Sequence, residues 1–241
     1  EVELDDSNHI LRGFESVEYT NNSPDTLDFL IFHLWPKAYS NKRTALAKQL
    51  TRMAETSLYF VAPDEMGDMD SLAFTLDGMP CAWKLDKEYI DICTLMLEKP
   101  LLPKSQVLIE TPFRVKIPSG EISRLGCVGE SFQITQWYPK PAVYDQTGWH
   151  GMPYLTIGEF YSEFGSYDVN ITLPENYTVG ATGDLQTSTE IDRLDSLNSV
   201  TKNWLRQRQK ENSWSDYSEI LDFPESSPEL KTLHYVQDNV H

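Results

Sequence analysis

One segment of the sequence brings amide, phenol and indole side chains together. It runs Phe132-Gln133-Ile134-Thr135-Gln136-Trp137-Tyr138-Pro139-Lys140-Pro141, and Tyr144-Asp145, Trp149-His150 and Tyr154 follow it. Alternation over 132–138 predicts a strand with Gln136 and Tyr138 on one face and Trp137 on the other. Because Pro139 has no N–H to donate to a ladder, the strand is predicted to end there, with Tyr138 near a rim. Aromatic rings beside an amide suit recognition of a polar small molecule.

Local motifs for metal binding or nucleophilic catalysis are incomplete in this sequence. No two histidines lie three or four residues apart, so no helix can offer zinc a histidine pair. The H-E-x-x-H, C-x-x-C and G-x-S-x-G patterns and the phosphate-binding loop are missing as well. We therefore expect no catalytic residue and no metal site in this chain. His33, in the apolar run Phe32–Trp35, is interpreted as a core or strand residue.

The charge of the chain excludes some classes of partner. Its 241 residues include 20 Lys and Arg against 37 Asp and Glu, which gives a net charge of −17. Such a charge repels phosphate backbones and anionic membrane surfaces, so we expect no nucleic-acid partner. No apolar window reaches the roughly 18 residues of a membrane span. Cys81 and Cys93 lie in apolar runs and are predicted to be buried free thiols, as cysteine often is; they do not fix the compartment.

Most of the chain has the pattern of strands. Apolar residues alternate with polar ones over 106–117 and 167–173, as in half-buried strands. Further strands are predicted at Phe14–Thr20, Leu27–Trp35, Ser71–Leu76, Tyr89–Leu97, Phe132–Tyr138, Tyr177–Gly183 and Thr232–Val240. Many short strands separated by turn signals predict a mainly β, antiparallel sandwich or barrel-like sheet.

Two segments have helical rather than strand periodicity. Asn41–Thr56 is predicted to form a short helix with Asn41 as its N-cap. Thr189–Glu211 is predicted to form a second helix, followed by the polar stretch Asn212–Glu229. Residues 187–231 are therefore interpreted as a helical and polar insertion in the sheet.

Several motifs together resemble the aminopeptidase N and leukotriene A hydrolase family of zinc metallopeptidases. The strand motif Thr135-Gln136-Trp137-Tyr138-Pro139 is similar to the T-Q-[FC]-[EQ]-P type of that family. The similarity covers roughly residues 10–185 and 231–241, and the segments that carry it besides this motif are Gly13–Thr20, Asn22-Ser23, Phe32–Pro36, Gly158–Gly165, Tyr167–Pro174 and Ala181-Thr182-Gly183.

The resemblance implies a domain of a larger enzyme. In the family, a saddle of β-sheet precedes a catalytic domain that binds zinc through H-E-x-x-H and a later glutamate. We therefore expect residues 1–241 to form a single N-terminal, saddle-like β-sandwich with two short helical insertions, and the zinc to lie in a catalytic domain outside this sequence. The implied partners are that catalytic domain and a peptide substrate. The bacterial branch of the family, which this chain resembles, implies an exported, periplasmic protein.

The resemblance also implies two substrate-binding residues. Gln136 matches the family's glutamine, and Tyr138 occupies the position whose Glu or Gln holds the free α-amine of the substrate. A phenol can accept a hydrogen bond from an ammonium but has no negative charge at neutral pH. Asp145 is a looser match to the aspartate after the family's aromatic loop.

Two other functions remain open on the sequence alone. The chain could be a carbohydrate- or other ligand-binding sandwich that uses Trp137, Tyr138, Trp149 and Tyr154 as a stacking platform. It could also be a stand-alone hydrolase that uses a pair of its many carboxylates.

Overall fold

A computed structural model describes residues 1–211 and 224–241, and the chain forms two compact units. Unit 1 consists of residues 1–164 together with His241, and unit 2 consists of residues 165–240. The single domain over 1–241 stays a prediction. Within the predicted polar stretch Asn212–Glu229, residues 212–223 lie outside the described residues.

Unit 1 is built from antiparallel strands. Its strands are β1 (Val2–Asp5), β2 (Ile10–Thr20), β3 (Leu27–His33), β4 (Asp68–Asp70), β5 (Thr75–Leu76), β6 (Met79–Pro80), β7 (Trp83–Leu85), β8 (Ile92–Leu101), β9 (Gln106–Lys116), β10 (Gly126–Val128), β11 (Ser131–Gln133), β12 (Lys140–Pro141), β13 (Tyr144–Asp145) and β14 (Gly148–Trp149). One sheet has the order β1-β2-β9-β5-β6, with β4 also paired to β9, and a second has the order β12-β3-β8-β7. The pairs β10-β11 and β13-β14 form separate ribbons.

The core of unit 1 follows the two-residue period of its strands. Val107, Ile109, Thr111, Phe113 and Val115 on β9 are all at most 7% exposed. The second sheet contributes residues that are fully buried, namely Leu30, Phe32, Cys93 and Leu95. These inward faces form the apolar interior of an antiparallel sandwich. The predicted mainly β, antiparallel class is therefore confirmed.

Short helices follow β3 in unit 1. A 3₁₀ helix covers Trp35–Tyr39, α1 covers Ala45–Arg52, α2 covers Ser57–Phe60 and a second 3₁₀ helix covers Pro63–Glu65. The predicted N-cap of α1 is wrong. Thr44 caps the helix by accepting a hydrogen bond from Ala47 N at 3.2 Å, whereas the side chain of Asn41 accepts one from Arg43 N in the preceding turn. Asparagine favours such turns as much as it favours caps.

Unit 2 contains a three-stranded antiparallel sheet and one long helix among its described residues. Its elements are β15 (Gly165–Pro174), β16 (Asp184–Leu185), α3 (Ser188–Glu211) and β17 (Leu230–Val240), and the strand order is β16-β17-β15. The predicted helix and the returning strand are confirmed, although the helix is 24 residues long rather than short. The predicted strand Tyr177–Gly183 is wrong, since those residues, all described, contain no strand. The Tyr177 carbonyl instead accepts a hydrogen bond from Lys231 Nζ at 2.6 Å, and Gly183 has a φ of +103°.

An ion cluster ties the first turn of α3 to the sheet of unit 2. The Glu190 carboxylate is 4% exposed and accepts hydrogen bonds from Arg193 Nε at 2.8 Å and from Lys231 Nζ at 2.9 Å. These charged donors hold the pKa of Glu190 below its usual value. Arg193 also donates to Thr178 Oγ1 at 2.9 Å. One buried carboxylate thus joins the helix, β17 and the turn that follows β15.

All three cysteines lie in the described residues and are free thiols. Cys93 and Cys127 are buried, but Cys81 is partly exposed, so the prediction that Cys81 is buried is wrong. Among the described residues, no helix combines the length and the hydropathy that crossing a bilayer requires.

Candidate functional site

The strand predicted over Phe132–Tyr138 stops at Gln133. Gln136 has a φ of +51°, in the left-handed region, and residues 134–139 lie in an irregular loop. A left-handed residue reverses the local course of an L-amino-acid chain and cannot continue a ladder. Gln136 and Tyr138 therefore do not share a face of one strand, and the prediction that they do is wrong.

Gln136 and Tyr138 are nevertheless both partly exposed, on either side of Trp137. The Trp137 ring packs on Phe113 of β9 at 5.9 Å between centroids, and the Tyr138 ring meets Trp137 edge-on at 5.4 Å. Phe113 in turn lies against Gly13, where an added Cβ would come within 2.2 Å of the Phe113 ring. We call Phe113, Trp137 and Tyr138 the aromatic shelf. It holds residues 134–139 against the sheet that contains β9, although these residues form no strand.

The chain rejoins the second sheet directly after Pro139. β12 pairs with β3 so that Lys140 lies opposite His33 and Pro141 opposite Phe32. Because β12 is an edge strand, the missing N–H of Pro141 costs no ladder bond within the sheet. Pro139 therefore precedes a strand and does not terminate one. Tyr138 lies at the junction between the shelf and this edge.

Lys140 is a residue of this site that the sequence analysis did not single out. It is 7% exposed, and its Nζ lies 5.9 Å from the centroid of the Tyr138 ring. Burial lowers the pKa of Lys140 to about 8. A lysine with this pKa is still mostly protonated at pH 7, so it places positive charge beside Tyr138. The sequence signal was available: a lysine between two prolines, at the end of an apolar strand-like run.

The buried charge of Lys140 predicts a specific pH dependence of stability. The pKa is about 8 in the folded chain and about 10.4 in an unfolded one. The contribution of Lys140 to the free energy of unfolding is therefore fully present above about pH 10.4, and it is lost as the pH falls towards 8. We expect the stability of the wild type relative to Lys140→Met to rise between pH 8 and pH 10, measured by urea denaturation. Lys48→Met, on an exposed position of α1, is the control, and a parallel response of both variants would contradict the expectation.

The loop after β12 is fixed to the second sheet by buried polar groups. His33 is 1% exposed and stacks on Trp35 at 4.4 Å between ring centroids. Its Nε2 accepts a hydrogen bond from Met152 N at 3.1 Å, so this nitrogen carries no proton. Burial lowers the pKa of His33 to about 4, and the positive charge of Lys140 acts in the same direction. The interpretation of His33 as a core residue is confirmed.

A buried carboxyl fixes the end of this loop. Asp91 Oδ2 accepts a hydrogen bond from Tyr154 N at 2.6 Å, and Asp91 is 1% exposed. Burial raises the pKa of Asp91 to about 6. The side chain of Tyr154 is 1% exposed and packs between Tyr39 and Phe160.

Asp145 belongs to a polar hairpin apart from the aromatic shelf. Its Oδ1 lies 2.9 Å from His150 Nε2 and accepts a hydrogen bond from Thr147 Oγ1 at 2.7 Å. Tyr161 OH donates to its Oδ2 at 3.3 Å. The hydrogen bond from His150 and those from Thr147 lower the pKa of Asp145. These contacts close the β13–β14 turn, and no hydrogen bond or ion pair among the described residues joins Asp145 to Gln136.

The structure does not assemble the four aromatic residues of the carbohydrate alternative into one platform. Trp137 and Tyr138 belong to the shelf, while Trp149 packs on Tyr144 at 5.1 Å and on Phe29 at 6.3 Å. Tyr154 is in the core and has no face for a sugar. A stacking surface needs exposed ring faces, so at most the other three residues could contribute.

Zinc has no suitable ligand set in the part of the chain that the structure describes. Within residues 1–211 and 224–241, no three His, Cys, Asp or Glu side chains are placed to hold a metal ion together. The residues of the candidate site are an amide, a phenol, two further aromatic rings and a lysine. Such groups can bind and orient a polar ligand.

Comparisons with known proteins give matches among solved structures alone. No model of a protein family matches the sequence, and no curated protein does. A variant of a two-domain M1 zinc metallopeptidase bound to L-tryptophan matches with a TM-score of 0.45 and 11% identity, over 98% of this chain and 37% of the other. A variant from Deinococcus radiodurans bound to a Tyr-Ser-Ala substrate gives the same values. The M1 zinc metallopeptidase of Deinococcus radiodurans itself matches with a TM-score of 0.43 and 12% identity. The chain thus spans about a third of the length of these proteins: 37% of the first two and 34% of the third.

Proposed function

We propose that this chain is a non-catalytic N-terminal domain of a zinc-dependent aminopeptidase-like metallopeptidase. The observation that carries the proposal is the Thr135–Pro139 motif, in which Gln136 and Tyr138 are partly exposed and Tyr138 belongs to the aromatic shelf. The domain covers a catalytic domain encoded beyond this sequence. It contributes Gln136 and Tyr138 to the pocket that receives the amino end of the substrate.

Electrostatics at this site make the proposed pocket weak for an amine. Tyr138 is neutral, and the neighbouring Lys140 is mostly protonated at pH 7. A carboxylate would attract an ammonium through a charge-assisted hydrogen bond, which is roughly twice as strong as a neutral one. The proposed enzyme is therefore less selective for free amino ends than one with Glu at position 138. Peptides blocked at the amino end compete better with free peptides than they would in such an enzyme.

The complete natural protein that contains this sequence tests the proposal. Its reading frame should continue into an H-E-x-x-H segment, and the purified protein should hydrolyse aminoacyl anilides in a reaction that chelators abolish. The chain 1–241 alone should have no such activity. A complete protein without H-E-x-x-H, or one whose hydrolysis survives chelation, would exclude the proposal.

In the complete protein, Tyr138→Glu is expected to raise kcat/KM for substrates with a free α-amine. A hydrogen bond to a charged group contributes on the order of 1.5–3 kcal/mol, which corresponds to a gain of about tenfold or more. Substrates with a blocked amine should gain nothing, and Tyr138→Phe should lose part of the activity on free amines. The measurement is steady-state kinetics on matched free and acetylated substrates.

Tyr59→Phe is the matched control, because Tyr59 is an exposed tyrosine of the same unit. It should leave both substrates unaffected. If Tyr138→Glu and Tyr138→Phe also leave kcat/KM unchanged for both the free and the acetylated substrate, Tyr138 does not contact the amino end of the substrate.

The same proposal includes an exported, periplasmic parent in a bacterium. The complete gene would then carry an export signal before this sequence, and the protein would be found in the periplasmic fraction. Recovery of the protein from the cytoplasm alone would contradict this part of the proposal.

A further inference from the structure

A cleft of about 300 Å³ lies beside the helix α1, and none of its lining residues belongs to the aromatic shelf. Its walls come from three segments of unit 1: the solvent-facing side of α1, the turn between β7 and β8, and the loop that follows β14. The side chains that concern us are Lys48 and Arg52 on α1, Glu88 and Tyr89 on the turn, and Pro153 and Leu155 on the loop. The volume is at the lower end of the range for sites that bind small molecules. We call this feature the α1 cleft.

Hydrogen bonds within the chain hold the walls of the α1 cleft in place. Gln49 Oε1 accepts a hydrogen bond from Thr156 N at 2.7 Å, which ties the loop to α1. Asp86 Oδ1 accepts hydrogen bonds from Glu88 N at 2.9 Å and from Tyr89 N at 2.8 Å, which closes the turn. The cleft is therefore formed in advance, and a ligand that enters it does not have to order its walls, which is a main cost of binding.

The α1 cleft carries positive charge in a chain that is strongly acidic. Residues 31–60 contain five Lys or Arg against one Asp or Glu, although the net charge of the chain is −17. Lys48 and Arg52 lie one helical turn apart, so their side chains are neighbours on the same side of α1. The acid that lines the cleft is Glu88, which lies on a different wall. Its negative charge raises the pKa of the neighbouring Tyr89.

The unlike charges of the cleft do not pair with each other. Over residues 1–211 and 224–241, no ion pair joins Glu88 to Lys48 or to Arg52, and neither cation pairs with another carboxylate. A carboxylate can accept several hydrogen bonds, and ammonium and guanidinium groups donate several. Opposite charges that line one cleft without touching leave room between them for a ligand that carries both signs of charge.

We propose that the α1 cleft binds a small zwitterion, namely an amino acid or a dipeptide with free ends and an apolar side chain. The carboxylate of the ligand pairs with Lys48 and Arg52, since a guanidinium offers a carboxylate two parallel donors. The ammonium of the ligand pairs with Glu88, and its side chain packs on Pro153 and Leu155. This site does not depend on the function proposed above, because all its residues belong to unit 1 of this chain.

The first test is titration of the chain 1–241 with leucine and with leucyl-leucine, followed by calorimetry and by NMR of the backbone amides. For at least one of the two we expect saturable binding with a Kd of about 1 mM or lower, and signal shifts in α1, the turn 86–90 and the loop 152–157. N-acetyl-leucine and leucinamide each lack one charge and should bind about fivefold more weakly than leucine, as the loss of one exposed ion pair predicts. No saturation by about 20 mM, or shifts in other segments only, would refute the proposal.

Variants that remove one charge assign each end of the ligand. Arg52→Gln should weaken the binding of leucine and N-acetyl-leucine about fivefold but should not weaken leucinamide. Glu88→Gln should weaken leucine and leucinamide by a similar factor but should not weaken N-acetyl-leucine. Lys84→Gln and Glu98→Gln are the controls, because they remove exposed charges from β7 and β8, outside the cleft; they should change no affinity. If Arg52→Gln and Glu88→Gln bind all three ligands as the wild type does, the charges of the cleft do not hold the ligand and the proposal is wrong.

Discussion

Replacing Glu190 with alanine is expected to lower the free energy of unfolding by about 3–5 kcal/mol, the cost of leaving buried charges unpaired. Lys231 Nζ and Arg193 both donate to this 4%-exposed carboxylate. Without it, the Lys231 ammonium, whose side chain is 14% exposed, keeps the Tyr177 carbonyl as its one hydrogen-bond acceptor among residues 1–211 and 224–241. We expect α3 and β17 to lose protection together in amide hydrogen exchange, and the transition to shift in urea denaturation.

Two further variants separate the ion cluster from helix propensity. Asp192→Ala changes an exposed acid on the same helix and should cost less than about 0.5 kcal/mol, as surface substitutions usually do. In a Lys231→Met background, Glu190→Ala should cost clearly less than in the wild type, because one of the stranded charges is already gone. A loss below 1 kcal/mol for Glu190→Ala in the wild type would mean that the cluster does not anchor the helix.

Protonation of His33 is expected to cost about 3 kcal/mol of stability as the pH falls from 6.5 to 4. The pKa is about 4 in the folded chain and about 6.5 in an unfolded one, and each unit of difference corresponds to 1.36 kcal/mol. Because the pKa of His33 is lower in the folded chain, its contribution to the free energy of unfolding is fully present above about pH 6.5. That contribution is lost as the pH falls through 4. The measurement is the difference in free energy of unfolding between the wild type and His33→Gln across this range.

Asp91 opposes the effect of His33 on stability in the wild type. Its folded pKa of about 6 lies above the usual value, so its contribution is complete below pH 4 and is lost as the pH rises through 6. The two residues therefore act in opposite directions over nearly the same interval. Relative to the wild type, His33→Gln should gain stability on acidification and Asp91→Asn should lose it. His9→Gln, at an exposed histidine, should follow the wild type, and profiles parallel to the wild type for both core variants would contradict the two pKa shifts.

Periodicity alone was sufficient for much of the fold. The alternation at 106–117 predicted β9, and its odd-numbered side chains are those that the structure buries. The helical spacing after Thr189 predicted α3 within one residue at its start. These patterns succeed because a strand or a helix repeats one geometry, so which residues face the core is encoded in their spacing. Motif spacing showed no local zinc or nucleophile motif, and the family resemblance of the 135–139 motif implied Gln136 and Tyr138 as substrate-binding residues.

Periodicity did not predict the local structure or burial at three places. Gln136 lies in the left-handed region and ends the alternation, yet no residue type at 132–138 signals the break. At 177–183 the backbone is engaged by Lys231 and Arg193, which are distant in sequence. Glu15 is on the inward side of β2, where burial raises its pKa well above the usual value, although the sequence shows one more surface acid.

What the sequence by itself determined is the longer strands, the helices α1 and α3, the excess of acidic charge and the motif at 135–139. The tertiary structure alone decided that Lys140 is buried beside Tyr138, that Tyr154 belongs to the core and that Glu190 joins α3 to β17. The physical reason is the separation in sequence between the groups that interact. Secondary structure follows from a repeat between near neighbours in sequence, whereas burial, pKa and ion pairing depend on groups that folding brings from other strands.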